Sequence, residues 1–367
     1  MIKKTIIILA VFLAGCTSNK TLKHPLDKSK SKTVVLENGL KVYLLSDPSF
    51  NVSAASVSVE VGSLDNPDDR QGLAHFLEHM LFLGTEKYPD VDEYSSYLKT
   101  YGGYSNAYTA SDHTNYQFQV LPDGFEGALD RFSQFFISPL FTEEYTAREV
   151  NAVNSEHQKN MLNDNWRQFR ISSLFAKEGH PERKFGTGNL ETLGDITREE
   201  LIDFYKQHYS ANRMGVALLS THSLEEMESW CRQYFSSVKN RNLNRNKYDP
   251  NFLEKKETFR LIQIDPVKDV RNLNLLFSLP STRKLYKSKP GRQFGFILGY
   301  EGRGSLLSFL KQKGWALSLS AGAGSETSDY GNASVRIGLT EEGLKNYKDV
   351  IKATMDYIAL MKDEGHQ

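Results

Sequence analysis

The sequence predicts an α+β protein in which layered antiparallel or mixed sheets are covered by helices. Three observations carry this. Runs of period two and runs of period 3.6 follow one another without strict β-α-β alternation. Of the 367 residues, 39% are hydrophobic and 25% charged, enough apolar material for two or three cores. Only two cysteines occur, Cys16 and Cys231, so no disulfide framework holds the fold and zinc sites built on thiolates are excluded. The 45 basic residues balance 45 acidic ones, which leaves no global field to draw the chain to nucleic acid.

In chain order, Lys3-Lys4, the apolar run Ile6 to Leu13, and Leu13-Ala14-Gly15-Cys16 have the layout of a secretory signal. The run is shorter than the roughly 20 residues a membrane helix needs. The last four of these residues resemble a bacterial lipobox, which implies removal of residues 1–15, a net charge of −2 and lipid on Cys16. Residues 16–32 then form a Lys/Ser/Thr-rich tether, and the expected place is the periplasmic face of a bacterial envelope. Thr17, not being acidic, points to the outer membrane. Two domains follow, 33–245 and 246–367, divided in the polar stretch Lys239 to Asp249.

The first domain opens with a hairpin, since Asn38-Gly39 separates Thr33–Leu36 from Leu40–Leu45. Val52 to Val61 alternates as a half-buried strand. Gly72 to Leu83 and Asp92 to Tyr101 are helices, Tyr104–Ala110 and Asn115–Leu121 strands, and Gly127–Phe136 a helix. Thr142 begins a long helix to about Asn163, with Glu143 and Glu144 favouring its dipole. A helix from Arg198 to Tyr209, a strand from Arg213 to Leu219 and a helix from Leu224 to Phe235 complete it, with Cys231 as a small core residue. The second domain reads as strands at 259–264, 273–278, 315–323 and 333–339, with helices at 293–299, 305–312 and 342–361.

His75-Phe76-Leu77-Glu78-His79 carries the chemistry. Residues i and i+4 of a helix share a face, so both imidazoles reach one ion, and Glu78 stands beside what the ion binds. A third protein ligand must come from elsewhere. Glu149 and Glu156 lie seven apart on one face of the long helix, one to ligate and one to support. Spacing alone leaves open which does which, and leaves His157 and His113 as further candidates.

These segments resemble the insulin-degrading enzyme and pitrilysin family of inverted-zincin peptidases: HFLEHMLFLGTEKYP from His75, YSNAYTASDHTNYQF from Tyr104, GALDRFSQFF from Gly127 and EVNAVNSEHQKN from Glu149. FGTGNLETL from Phe185 and EGRGSLLSFLKQKGW from Glu301 extend the likeness over nearly everything after the tether. The resemblance implies one Zn2+ held by His75, His79 and Glu156, which lies 77 residues after His79. It implies Glu149 as the carboxylate that holds a zinc-ligating His, and Glu78 as the general base that activates water for oligopeptide hydrolysis. Asn106, Ala107 and Tyr108 become an edge strand that pairs with an extended peptide substrate. Long members of the family have a second half that closes over the substrate and supplies an Arg and a Tyr. Such residues are absent here, so the expectation is either a fragment, cut within its second domain, that lacks its C-terminal half, or one subunit that works with a separate partner. A non-catalytic peptide-binding or structural subunit is the alternative, since metal-free relatives exist.

Overall fold

The computed structural model describes residues 23–253, 260–324 and 327–364. The expected signal segment, Cys16 and the first part of the tether lie outside the described residues. Gly39, at φ 83°, closes the expected hairpin of β1 (Lys30–Val35) and β2 (Lys41–Ser46). In β3 (Ser53–Val59) the apolar face is buried, Val57 and Val59 completely, because the strand alternates with period two. There follow α1 (Leu73–Met80), α2 (Glu93–Thr100), β4 (Tyr104–Thr109), β5 (Thr114–Val120), α3 (Phe125–Gln134) and α4 (Glu143–Met161). Next come α5 (Asp164–Ser173), α6 (Leu190–Leu193), α7 (Arg198–His208), β6 (Met214–Ser220) and α8 (Leu224–Phe235).

The six strands form one sheet in the order β1-β2-β6-β3-β5-β4. All neighbours are antiparallel except β2 and β6, which are parallel. Strand β4 thus lies at a sheet edge, paired on one side only, with β5. One core joins the apolar sides of β2, β3, β5 and β6 to Phe76, Leu77, Met80 and Leu81 of the α1 segment, Phe125, Leu129 and Phe132 of α3, and Val150 and Val153 of α4. Cys231 is fully buried in it, and that burial pushes its thiol up to about 12. This core fixes α1 and α4 side by side, with their polar faces turned away from it.

Further along are β7 (Asn272–Pro280), α9 (Pro290–Leu298), α10 (Leu306–Gln312), β8 (Ala316–Gly324), β9 (Tyr330–Leu339), α11 (Glu341–Lys345) and α12 (Tyr347–Glu364). They form an antiparallel sheet β7-β9-β8 with its own core around Leu298, Leu307, Leu310, Val335, Ile337 and Val350. A small cluster of Leu64, Ala176, Phe252 and Tyr330 lies where the two parts meet. Among the described residues no helix is long and apolar enough to cross a membrane.

Three expectations need correction. Residues 260–264 form no strand, and Leu261 and Ile262 stay exposed because no ladder takes them up; Phe259 lies outside the described residues. The single helix expected over 342–361 is broken at Asn346, whose side-chain amide bonds back to the Glu342 carbonyl at 2.7 Å. Helix α5 was not expected, although Asn163 caps it by accepting from the Asn165 amide at 3.0 Å. Thr142 does stand at the head of α4, but its hydroxyl makes no capping bond.

Candidate metal centre

Helix α1 buries Phe76, Leu77 and Met80 and so turns His75 and His79 to the opposite side, toward α4. The two rings meet edge to face, centroids 4.8 Å apart. From α4, one oxygen of Glu156, Oε2, lies 3.6 Å from His75 Nε2 and 3.9 Å from His79 Nε2. Among the described residues this trio is the one group of three or more ligand-type side chains with the spacing of a metal site; its ligand atoms all fall within 4.8 Å of one another. Ligands on one tetrahedral zinc stand about 3.3 Å apart, from bonds of about 2.0–2.2 Å, so donor set and spacing fit one Zn2+. The Glu156 side chain is 40% exposed, which leaves the trio accessible from solvent.

Each imidazole is oriented from behind. His75 Nδ1 donates to the Thr187 carbonyl at 2.8 Å, which leaves Nε2 as the bare nitrogen facing Glu156. His79 Nδ1 lies 3.4 Å from Glu149 Oε2, with the same result. Burial opposes a charge on His79, but the hydrogen bond it donates to Glu149 and the fields of Glu78, Glu149 and Glu156 outweigh it and raise its pKa. Glu149 is correspondingly held below the usual carboxylate range, chiefly by His79. Glu149 and Glu156 therefore differ in position as two turns of one helix require: one backs an imidazole, the other faces both. His157 packs against Phe185 and His113 bonds to Asp112, so neither joins the group.

Glu78 is 6% exposed, and its Oε2 accepts a hydrogen bond of 2.5 Å from the Thr109 hydroxyl. Burial pushes its carboxyl above the ordinary range, against the opposing pull of His75, Thr109 and His79. Thr109 ends β4, directly after Asn106, Ala107 and Tyr108; Asn106 and Tyr108 point to solvent and Ala107 is half-buried. Helix α1, which carries two of the trio, packs against this strand, and the strand's side away from β5 is unpaired in the sheet.

Two elements of the site escaped sequence reasoning. Thr187 acts through its main-chain carbonyl, which no residue type announces. Thr109 falls within a quoted motif, but only the register of β4 against α1 shows that it reaches Glu78. A polar cavity of about 300 Å³ stands apart, lined by Asp112, Arg213, Arg245 and Arg283 among others, and none of the metal trio contributes to it.

Comparison with known proteins finds family models and relatives over most of the chain. The family profile described as insulinase (Peptidase family M16) matches residues 41–178, and that described as Peptidase M16 inactive domain matches residues 195–367. Human insulin-degrading enzyme is 43% identical over 356 residues, 95% of this chain and 35% of that protein. The A-factor-processing enzyme of Saccharomyces cerevisiae is 43% identical over 351 residues, 93% of this chain and 34% of its own length. The chain thus spans about a third of these relatives. The crystal structure of pitrilysin superposes with a TM-score of 0.88 at 30% identity, over 95% of this chain and 38% of that one. A protease from Helicobacter pylori shares the fold, with a TM-score of 0.75 at 20% identity over 92% of this chain and 81% of its own. With the two M16 profiles lying in tandem from residue 41 to residue 367, the chain belongs to the peptidase M16, or insulinase, family.

Proposed function

We propose that this chain is the zinc-bearing part of an endopeptidase that hydrolyses oligopeptides, with Glu78 as general base and β4 as the strand on which substrate lies. The observation that carries it is a buried carboxylate held between a His-His-Glu metal trio and a free sheet edge. Zinc, when bound by His75, His79 and Glu156, supplies a Lewis acid that polarises the scissile carbonyl and acidifies water. Glu78 takes a proton from the attacking water and returns it to the leaving amine. Its burial raises its proton affinity toward the range in which such a shuttle works. Asn106, Ala107 and Tyr108 pair with an extended peptide through main-chain bonds, which gives loose sequence preference. Glu149 keeps His79 in the tautomer that offers Nε2.

Completion of the site falls to a C-terminal half or partner subunit, which the coverage of only about a third of the relatives supports. Lipid on Cys16 anchors the protein at the periplasmic face of the envelope, a reading supported by the Leu13-Ala14-Gly15-Cys16 segment.

The test is metal analysis of the purified chain with turnover of an internally quenched oligopeptide. About one zinc per chain is expected, lost in Glu156→Ala, with chelator-sensitive cleavage abolished in a Glu78→Gln variant that keeps its zinc. Normal cleavage by that variant overturns the assignment of the base. Peptide binding of equal affinity with and without zinc, and no cleavage, identifies a non-catalytic subunit instead.

A further inference from the structure

We propose that Thr109 is a positioning residue for the general base: its hydroxyl holds one oxygen of Glu78 and leaves the other to take the proton of the attacking water. The inference rests on the functional reading above, and its support is local geometry. Along β4 the side chains alternate, exposed at Tyr104, Asn106 and Tyr108 and half-buried at Ser105, Ala107 and Thr109. The last of these reaches α1. Its Oγ1 lies 2.5 Å from Glu78 Oε2, the short separation of a hydroxyl donating to a carboxylate.

The neighbouring hydroxyl cannot take that role. Thr114 Oγ1 lies 3.4 Å from Thr109 Oγ1 and spends its own proton on the Val61 carbonyl at 2.8 Å. A carboxylate otherwise free to turn about its last torsion, a broad and soft one, is thereby held in one plane. Oε1 is left as the oxygen that receives a proton.

The strand that offers its edge to substrate is the strand that carries this hydroxyl. Peptide pairing at Asn106 to Tyr108 and orientation of the base are thus set by one stretch of backbone. The far end of that stretch is itself closed, the Ala110 amide bonding to the His113 carbonyl at 2.8 Å and the Ser63 amide to the Ala110 carbonyl at 2.9 Å. Thr109 keeps its proton throughout; it donates a hydrogen bond and forms no covalent link.

The experiment compares wild type, Thr109→Val, Thr109→Ser and Glu78→Gln in the zinc-loaded chain. Thr109→Val is expected to lower kcat about tenfold or more with KM within about twofold, and Thr109→Ser to restore kcat. Wild-type kcat in Thr109→Val overturns the proposal, as does a Ser variant as slow as the Val one, since strand packing rather than the hydroxyl would then be responsible. A second readout needs no turnover. In chains labelled with 13C at the glutamate carboxyl carbon, the Glu78 resonance is identified by its loss in Glu78→Gln. It is expected to move in Thr109→Val and to stay near its wild-type position in Thr109→Ser. An unmoved resonance in Thr109→Val overturns the proposal even if the wild-type chain cleaves nothing. Full cleavage by Glu78→Gln would instead break the functional reading, with the carboxyl resonance still judging the Thr109 contact.

Discussion

At Gly72 the backbone turns at φ 95° just before α1 and passes so close to Gly188 that a Cβ would lie 2.2 Å from the Gly188 Cα. Gly188 has φ 84°, and this close approach of two backbones is what brings the Thr187 carbonyl onto His75. Gly72→Ala is therefore expected to destabilise the fold by more than about 1 kcal/mol and to weaken zinc binding with it, measured by thermal melts with and without metal. Removing the support behind the other imidazole, by Glu149→Ala, is expected to reduce zinc affinity about 10- to 100-fold in a chelator competition titration, with little change in the melt of the metal-free chain. The residue scale is also where the sequence was most legible. His75, Glu78 and His79 declare themselves by helical spacing; the seven-residue separation puts Glu149 and Glu156 on one face but leaves their roles open, and only the family resemblance implied Glu156 as the ligand. Thr187 does not, because its contribution is a main-chain oxygen delivered by two glycines.

Among the elements, the β4–β5 hairpin joins the most separate duties. One of its strands borders the metal trio, and its turn carries Asp112, whose side chain is almost wholly buried. Burial opposes the charge on Asp112, yet hydrogen bonds from His113 and the Ser328 amide, with the Arg283 guanidinium, hold its carboxyl far below the usual range. Ser328 donates from 2.7 Å and Arg283 from 3.1 Å, both from the second sheet's side of the molecule. Because the folded pKa is depressed, this stabilisation is complete above the unfolded value of about 3.9 and is lost as pH falls through the folded value. Asp112→Asn is accordingly expected to cost on the order of 2 kcal/mol near neutral pH, with the difference from wild type shrinking below about pH 4 in urea melts. Helix and strand runs of strong periodicity, such as those around Met80 and Val57, were readable from the sequence. The run at Leu261 and Ile262 has strand-like composition, but a strand exists only where a neighbour accepts its backbone, and composition carries no information about neighbours.

At the scale of the whole molecule, two apolar cores are joined by a small cluster and a band of polar contacts. Tyr330 is fully buried against Phe252, Ala176 and Leu64, and its hydroxyl bonds to Glu182. Elsewhere Arg336 reaches Asn165 at 3.2 Å, Arg167 reaches the Asp265 carbonyl at 2.9 Å, and Arg245 pairs with Asp329. A junction this thin in apolar area depends on its few large side chains. Tyr330→Ala is expected to separate the unfolding of the two cores, read as two calorimetric transitions where the parent shows one. None of this junction was legible in advance, since Asp112 and Ser328 lie 216 positions apart and nothing local links them.

The place of β6 has a consequence for how the protein comes to be made. This strand stands between β2 and β3, so before residues 214–220 emerge the sheet exists only as the β1–β2 hairpin and a separate three-stranded piece in the order β3-β5-β4. Each piece then shows an uncovered strand edge, β2 with Val42, Leu44 and Leu45 and β3 with Val57 and Val59, the template on which chains pair with one another. Pairing Val42 with Val216 closes a loop of over 170 residues, a slow step on grounds of topology alone. The interval between synthesis of the His75–His79 helix and arrival of β6 is thus the window in which a nascent chain is most exposed to misassembly. Chaperone contact should be concentrated there.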